Sequence, residues 1–170
     1  VEELPTHGGS LRIFLGRADG PDRGESDSLC KVRADEAAAA LDKLETYDGF
    51  QTRVEAVKSE LLGFLAKAKT AGEVVAAYGA AAKGNTLLNF CGVTSDQIAF
   101  VVDVSPHKQN HLLPGSRIPV VAPDELQSRK PDHVLILPWN LKDEITGDHG
   151  YIREWGGDFV IAVPEITVLP

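Results

Sequence analysis

Residues 74–89 read VVAAYGAAAKGNTLLN: a short apolar run, a glycine loop carrying one lysine, and the polar start of a helix-forming stretch. That order specifies a β-strand turning tightly into an α-helix. Gly79, with no Cβ, permits the turn, and Gly84 lets a ligand or the strand approach the first helical turn closely. The backbone N–H groups of Gly84, Asn85 and Thr86 are then expected to face one point at the positive end of the helix dipole, where an anion is favoured. Lys83 adds a full positive charge there.

Two nucleotide signatures nearly fit this loop. Against G-x-x-x-x-G-K-[ST], Gly79, Gly84 and Thr86 match, but Asn85 stands where the lysine belongs, which argues against ATP or GTP hydrolysis. Against G-x-G-x-x-G, positions 79, 81 and 84 give Gly, Ala and Gly, and an acid, Asp103, follows Gly79 by 24 residues at the end of the apolar run IAFVVDV. That spacing suits a ribose contact. An ordinary tight βα turn is the other reading of the same residues.

Apolar runs and helix-period stretches alternate beyond the loop. Strands are expected at 74–78, 99–104, 120–121, 133–137 and 159–163, with helices at 84–91, 123–128 and 142–155 between them. Such alternation predicts βαβ units: an α/β, Rossmann-like three-layer αβα domain with a mostly parallel sheet, strand order 3-2-1-4-5 by default. Upstream, Val54, Val57, Leu61, Phe64, Leu65 and Ala68 recur at steps of three and four, predicting a long helix after Asp48 and Gly49, with a shorter one at 35–46 before it. The opening segment predicts a β-hairpin, strands 1–4 and 11–15 around Pro-Thr-His-Gly-Gly-Ser, followed by a Gly-, Asp-, Arg- and Ser-rich linker at 17–28. The expected domains are therefore 1–28 and 29–170.

Ligands of parallel sheets bind beyond the carboxyl ends of the strands. The loops expected there offer one chemistry. Asp103 accepts from sugar hydroxyls, Ser105 and Lys108 donate to phosphate, and Trp139 presents an aromatic face to a base or sugar. The chain has 25 acidic and 17 basic residues, a net charge of −8, which argues against nucleic acid or an anionic membrane as the main partner. No run approaches the roughly 18 to 20 apolar residues a membrane span needs, and Cys30 and Cys91 read as thiols of a cytoplasmic protein. No metal site is expected: His107 and His111 stand four apart, but Pro106 and Pro114 flank them. His149 reads as a surface or capping residue. The absence of methionine suggests a C-terminal portion of something larger.

Four stretches, THGGSLRIF at 6–14, YGAAAKGNTLLNF at 78–90, VVDVSPHKQNHLLPGSRIPV at 101–120 and ILPWNLKDEI at 136–145, together resemble the C-terminal domain of S-adenosylmethionine-dependent sugar C-methyltransferases, which act on nucleotide-linked deoxysugars in antibiotic biosynthesis. The resemblance implies that the hairpin is the end of a methyltransferase domain. It implies two cofactors held outside this chain: S-adenosylmethionine in that domain and zinc in an N-terminal cysteine cluster. A nucleotide-diphosphate 4-keto sugar would lie between the two domains. Gly79, Ala80, Lys83, Gly84, Asn85, Thr86 and Asn89 would receive its nucleotide or pyrophosphate, Asp103, Ser105 and Lys108 would sit beside them, Tyr78 and Trp139 would also touch the substrate, and His7 and Ser10 would border the sugar. No catalytic residue is expected within these 170. The rival readings are a nicotinamide-dependent oxidoreductase and a nucleotide-sensing domain.

Overall fold

A computed structural model of the chain describes residues 1–21 and 24–169; the part of the expected linker at 22–23 lies outside the described residues. The chain divides into two compact units, Val1–Thr52 and Arg53–Pro170.

In the first unit, β1 (Glu2–Leu4) and β2 (Ser10–Arg12) form an antiparallel pair in the register Glu2↔Arg12, Glu3↔Leu11, Leu4↔Ser10. The second strand is shorter than expected. With Arg12 already opposite Glu2, no paired strand remains for Ile13, Phe14 and Leu15, which are exposed, Leu15 by 91%. A 3₁₀ turn, Thr6–Gly8, joins the strands, with His7 in the left-handed region at φ 57°.

The helix expected at 35–46 is not formed. Instead α1 spans Asp27–Ala38 and a single turn, α2, spans Glu45–Asp48. Ser26 explains the early start, because its side chain accepts from the Leu29 N–H at 3.3 Å as an N-cap. The chain reverses at Ala40, φ 52°, and the turn is tied by Thr46 Oγ1 donating to the Ala40 carbonyl and Tyr47 Oη donating to that of Leu41, both at 2.7 Å. These elements group with the hairpin, and no described residue of the unit belongs to the hydrophobic core, which runs from Leu61 to Ala162.

The long helix after Gly49 is present as α3 (Phe50–Ala71), burying Leu61, Leu65 and Ala68. The second unit is built on a six-stranded sheet: β3 (Val75–Tyr78), β4 (Val101–Val102), β5 (Val120–Val121), β6 (His133–Ile136), β7 (Asp158–Ile161) and β8 (Thr167–Leu169). Their order is β5-β4-β3-β6-β7-β8. The five parallel strands thus follow the 3-2-1-4-5 default. β8, absent from the sequence expectation, pairs antiparallel on β7.

Each face of the sheet buries its own cluster, one with α3 and α4 (Ala82–Cys91), the other with α5 (Glu125–Arg129) and α6 (Lys142–Asp148). This is the three-layer αβα arrangement. The helix expected to run unbroken over 142–155 stops at His149, whose φ of −115° and ψ of 20° are non-helical, and resumes as a 3₁₀ turn, Gly150–Trp155. Gly147 and Gly150 on either side of the break weaken an α-helix there.

At the amino edge of the sheet, His133 stands between two carboxylates. Its Nδ1 lies 2.6 Å from Asp158 Oδ1 and its Nε2 3.1 Å from Glu73 Oε2, with the side chain 15% exposed. Burial works against a charged imidazole, but the hydrogen bonds to Asp158 and Glu73 outweigh it and raise the His133 pKa. A base bound more tightly to its proton in the folded state contributes stability that is complete below its unfolded pKa, about 6.5, and is lost as pH rises through the folded value. His133→Gln is therefore expected to cost about 2 kcal/mol at pH 6 and less at pH 8.5. Urea denaturation of both proteins at the two pH values checks this; equal losses would show that the ring is neutral throughout.

Candidate functional site

The carboxyl edge of the sheet is organised around the turn from β3 into α4. Gly79 adopts φ +88°, closed to most residues with a side chain, and a Cβ built on it would lie 2.7 Å from Pro138 Cδ. Gly84 is a second point of close approach. A Cβ there would meet Leu137 Cβ at 2.5 Å, so of the two expected uses of Gly84 the structure shows the packing of helix against strand.

The free donors of the helix start two residues earlier than expected. α4 begins at Ala82, and the Asn85 N–H already donates to the Ala81 carbonyl at 2.9 Å. The first-turn donors are therefore those of Ala82, Lys83 and Gly84, and of the expected trio only Gly84 remains among them. Ala81 occupies the N-cap and has no side-chain oxygen to satisfy them. Partial positive charge is thus concentrated at this helix end, with Lys83 beside it.

Lys83 is also tied to the loop after β6. Its Nζ lies 4.4 Å from the centroid of the Trp139 ring and donates to Asn140 Oδ1. Asn140 is a partner that the sequence reading left out, although it lies in the loop that reading placed here. Thr86 is exposed, its Oγ1 donating back along the helix to the Ala82 carbonyl at 3.1 Å. Asn89 Nδ2 donates to the carbonyls of Asn85 at 2.8 Å and Pro114 at 2.9 Å, fastening the 113–117 loop to the helix. Asn85 Oδ1 is buried without a hydrogen-bond partner, an acceptor still open to a donor.

Asp103, only 6% exposed, joins the neighbouring loops. Its Oδ2 accepts from the Ala80 N–H at 2.8 Å and from Lys108 Nζ at 3.1 Å, and its Oδ1 accepts from the Ser105 N–H at 2.9 Å. Lys108 Nζ also donates to the Ala80 carbonyl at 3.0 Å. The acid at the ribose position of a dinucleotide site is therefore engaged in holding the glycine loop. His7 and Ser10 belong to the first unit, where His7 is exposed and Ser10 Oγ donates to the Thr6 carbonyl at 2.9 Å.

Tyr78, the last residue of β3, is in contact with His149, which was expected at the surface or as a cap and does cap the end of α6. Tyr78 Oη lies 3.0 Å from His149 Nε2, and His149 Nδ1 lies 3.0 Å from Tyr151 Oη. Burial lowers the His149 pKa against the opposing pull of Asp148. Burial raises Tyr78, assisted by Asp103 and Asp148, and raises Tyr151, assisted by Asp124. Each of these shifts favours the neutral form. Their clustering could not be read from spacing, since Tyr78 and His149 stand 71 residues apart.

A parallel sheet ordered 3-2-1-4-5, with a glycine turn and an uncapped helix start at its carboxyl edge, defines a Rossmann-like α/β domain. The chain belongs to the C-methyltransferase C-terminal domain family, whose model matches residues 5–164. It is 33% identical over 169 residues to C-methyltransferase NovU of Streptomyces niveus, a match covering 99% of this chain and 40% of that relative's length.

Proposed function

We propose that this chain is the substrate-binding domain of an S-adenosylmethionine-dependent sugar C-methyltransferase of the cytoplasm, acting in antibiotic biosynthesis. It holds the diphosphate of a nucleotide-linked 4-keto-deoxysugar at the start of α4. The observation that carries this reading is the helix end itself: three backbone donors with no capping side chain, Lys83 alongside, and Trp139 presenting a ring in the adjoining loop. Asp103 and Lys108 act on the loop that shapes this end, and the open acceptor of Asn85 lies one turn inside it. In the methyltransferase domain a base removes the proton next to the sugar ketone. S-adenosylmethionine would supply the methyl group that the resulting enolate takes up, its sulfur leaving as the thioether of S-adenosylhomocysteine. Zinc is held by a cysteine cluster further upstream, and the 170 residues alone bind ligand without catalysing transfer.

Calorimetry with thymidine diphosphate, NAD and S-adenosylmethionine separates this reading from its rivals. Thymidine diphosphate is expected to bind, and Lys83→Ala to weaken it about tenfold and to flatten its dependence on salt. Loss of the contact with Trp139 should change folding stability by less than about 1 kcal/mol. Tight NAD binding with no response to thymidine diphosphate would instead establish a dinucleotide site.

A further inference from the structure

The chain Tyr78–His149–Tyr151 joins the end of β3, the residue closing α6 and the 3₁₀ turn that follows, so three elements converge to build it. The rings pack as well as bond, with centroids 4.8 Å apart for Tyr78 and His149 and 5.6 Å apart for His149 and Tyr151. A neutral imidazole has one nitrogen that donates and one that accepts. The two tyrosines therefore cannot play the same part. If Nδ1 carries the proton, Tyr78 must donate inward to Nε2 and offers only lone pairs outward. If Nε2 carries it, Tyr78 accepts inward and its own proton is free to point away from the ring, while Tyr151 donates to Nδ1.

Tyr78 lies on the sheet face covered by α5 and α6, whereas α4, with its donors, covers the opposite face. Tyr78 nonetheless ends β3 immediately before the Gly79 turn that leads into α4, at the same carboxyl edge of the sheet. We propose that His149 takes its Nε2–H tautomer, with Tyr151 donating to Nδ1, and so turns the Tyr78 hydroxyl outward as a donor to a hydroxyl or carbonyl oxygen of the ligand's sugar. His149 is then a positioning residue acting through Tyr78. The proposal rests on the nucleotide-sugar reading and adds to it the group that reads the sugar. The charged groups facing the chain are Asp103, Asp148 and Glu144 around Tyr78, Asp148 at His149 and Asp124 at Tyr151.

The test uses the 15N-labelled 170-residue chain with thymidine diphosphate and thymidine-diphosphate glucose as probes. Imidazole nitrogen spectra of the sugar-nucleotide complex should show His149 as one neutral tautomer, protonated at Nε2. Tyr151→Phe should disturb the Nδ1 signal and Tyr78→Phe the Nε2 signal. In calorimetry, Tyr78→Phe should weaken thymidine-diphosphate glucose about tenfold and leave thymidine diphosphate within about twofold, since only the sugar contact is lost. An Nδ1–H or rapidly averaged ring in the complex overturns the relay, as does unchanged affinity of Tyr78→Phe for thymidine-diphosphate glucose. In either case the nucleotide reading stands so long as thymidine diphosphate binds. Failure of both probes to bind wild-type protein overturns that reading and the sugar contact together.

Discussion

Asp103→Ala is expected to destabilise the second unit by about 3 kcal/mol, because it strands two backbone donors that have no other partner nearby. Ala80 and Ser105 both direct their N–H groups at this carboxylate, at 2.8 and 2.9 Å, and Lys108 loses its anion while keeping the Ala80 carbonyl. Lys108 is half exposed, so water recovers much of its loss; the part-buried amides are where most of the cost falls. Asp103→Asn should cost less, since an amide of the same shape satisfies one donor but presents an N–H to another. Urea midpoints measured for the three proteins check this order. Hydrogen exchange at Ala80 should accelerate in Asp103→Ala more than exchange at Leu135 in the adjacent strand, and equal acceleration would mean that the carboxylate steadies the whole sheet.

Gly79→Ala is expected to cost a similar amount, about 3 kcal/mol, by a different route. Its φ of +88° strains any residue with a Cβ, and that Cβ would stand 2.7 Å from the rigid ring of Pro138. Neither neighbour can yield cheaply: the Gly79 N–H is bonded to the Val102 carbonyl at 2.7 Å, and Pro138 has no rotatable side chain to withdraw. Gly92→Ala is the matched comparison, with φ +71° but nothing near the added atom. It should lose only the backbone share, about 1 kcal/mol. Thermal unfolding of both variants separates conformational strain from collision. Equal losses would show that Pro138 moves aside.

The parallel sheet was legible because each of its strands is buried on both faces and so reads as an unbroken apolar run. β8 escaped notice since Thr167, Val168 and Leu169 form a short edge strand whose middle residue is half exposed. α1 escaped for a related reason: DSLCKVRADEAA buries nothing, so no helical period is imposed on it, and only the Ser26 cap marked its start. At the carboxyl edge the glycine turn was visible in one-dimensional spacing, and so was Lys83. What spacing could not show was which groups already satisfy one another. Asp103 looked free for a ribose and is engaged with a loop, while His149, read as a surface or capping residue, does close α6 but also bonds two tyrosines, the neighbouring Tyr151 and, from a segment 71 residues away, Tyr78.

The contact between Gly79 and Pro138 also carries a temporal consequence. β3 is the central strand, yet its partner β6 lies 58 residues further along, in the pairing Val75↔His133. During synthesis the glycine turn therefore emerges long before the residue that braces it, and closing so long a loop is slow compared with forming the helices on either side. Until the growing chain has passed Pro138, the glycine turn has its sequence but not the ring it packs against.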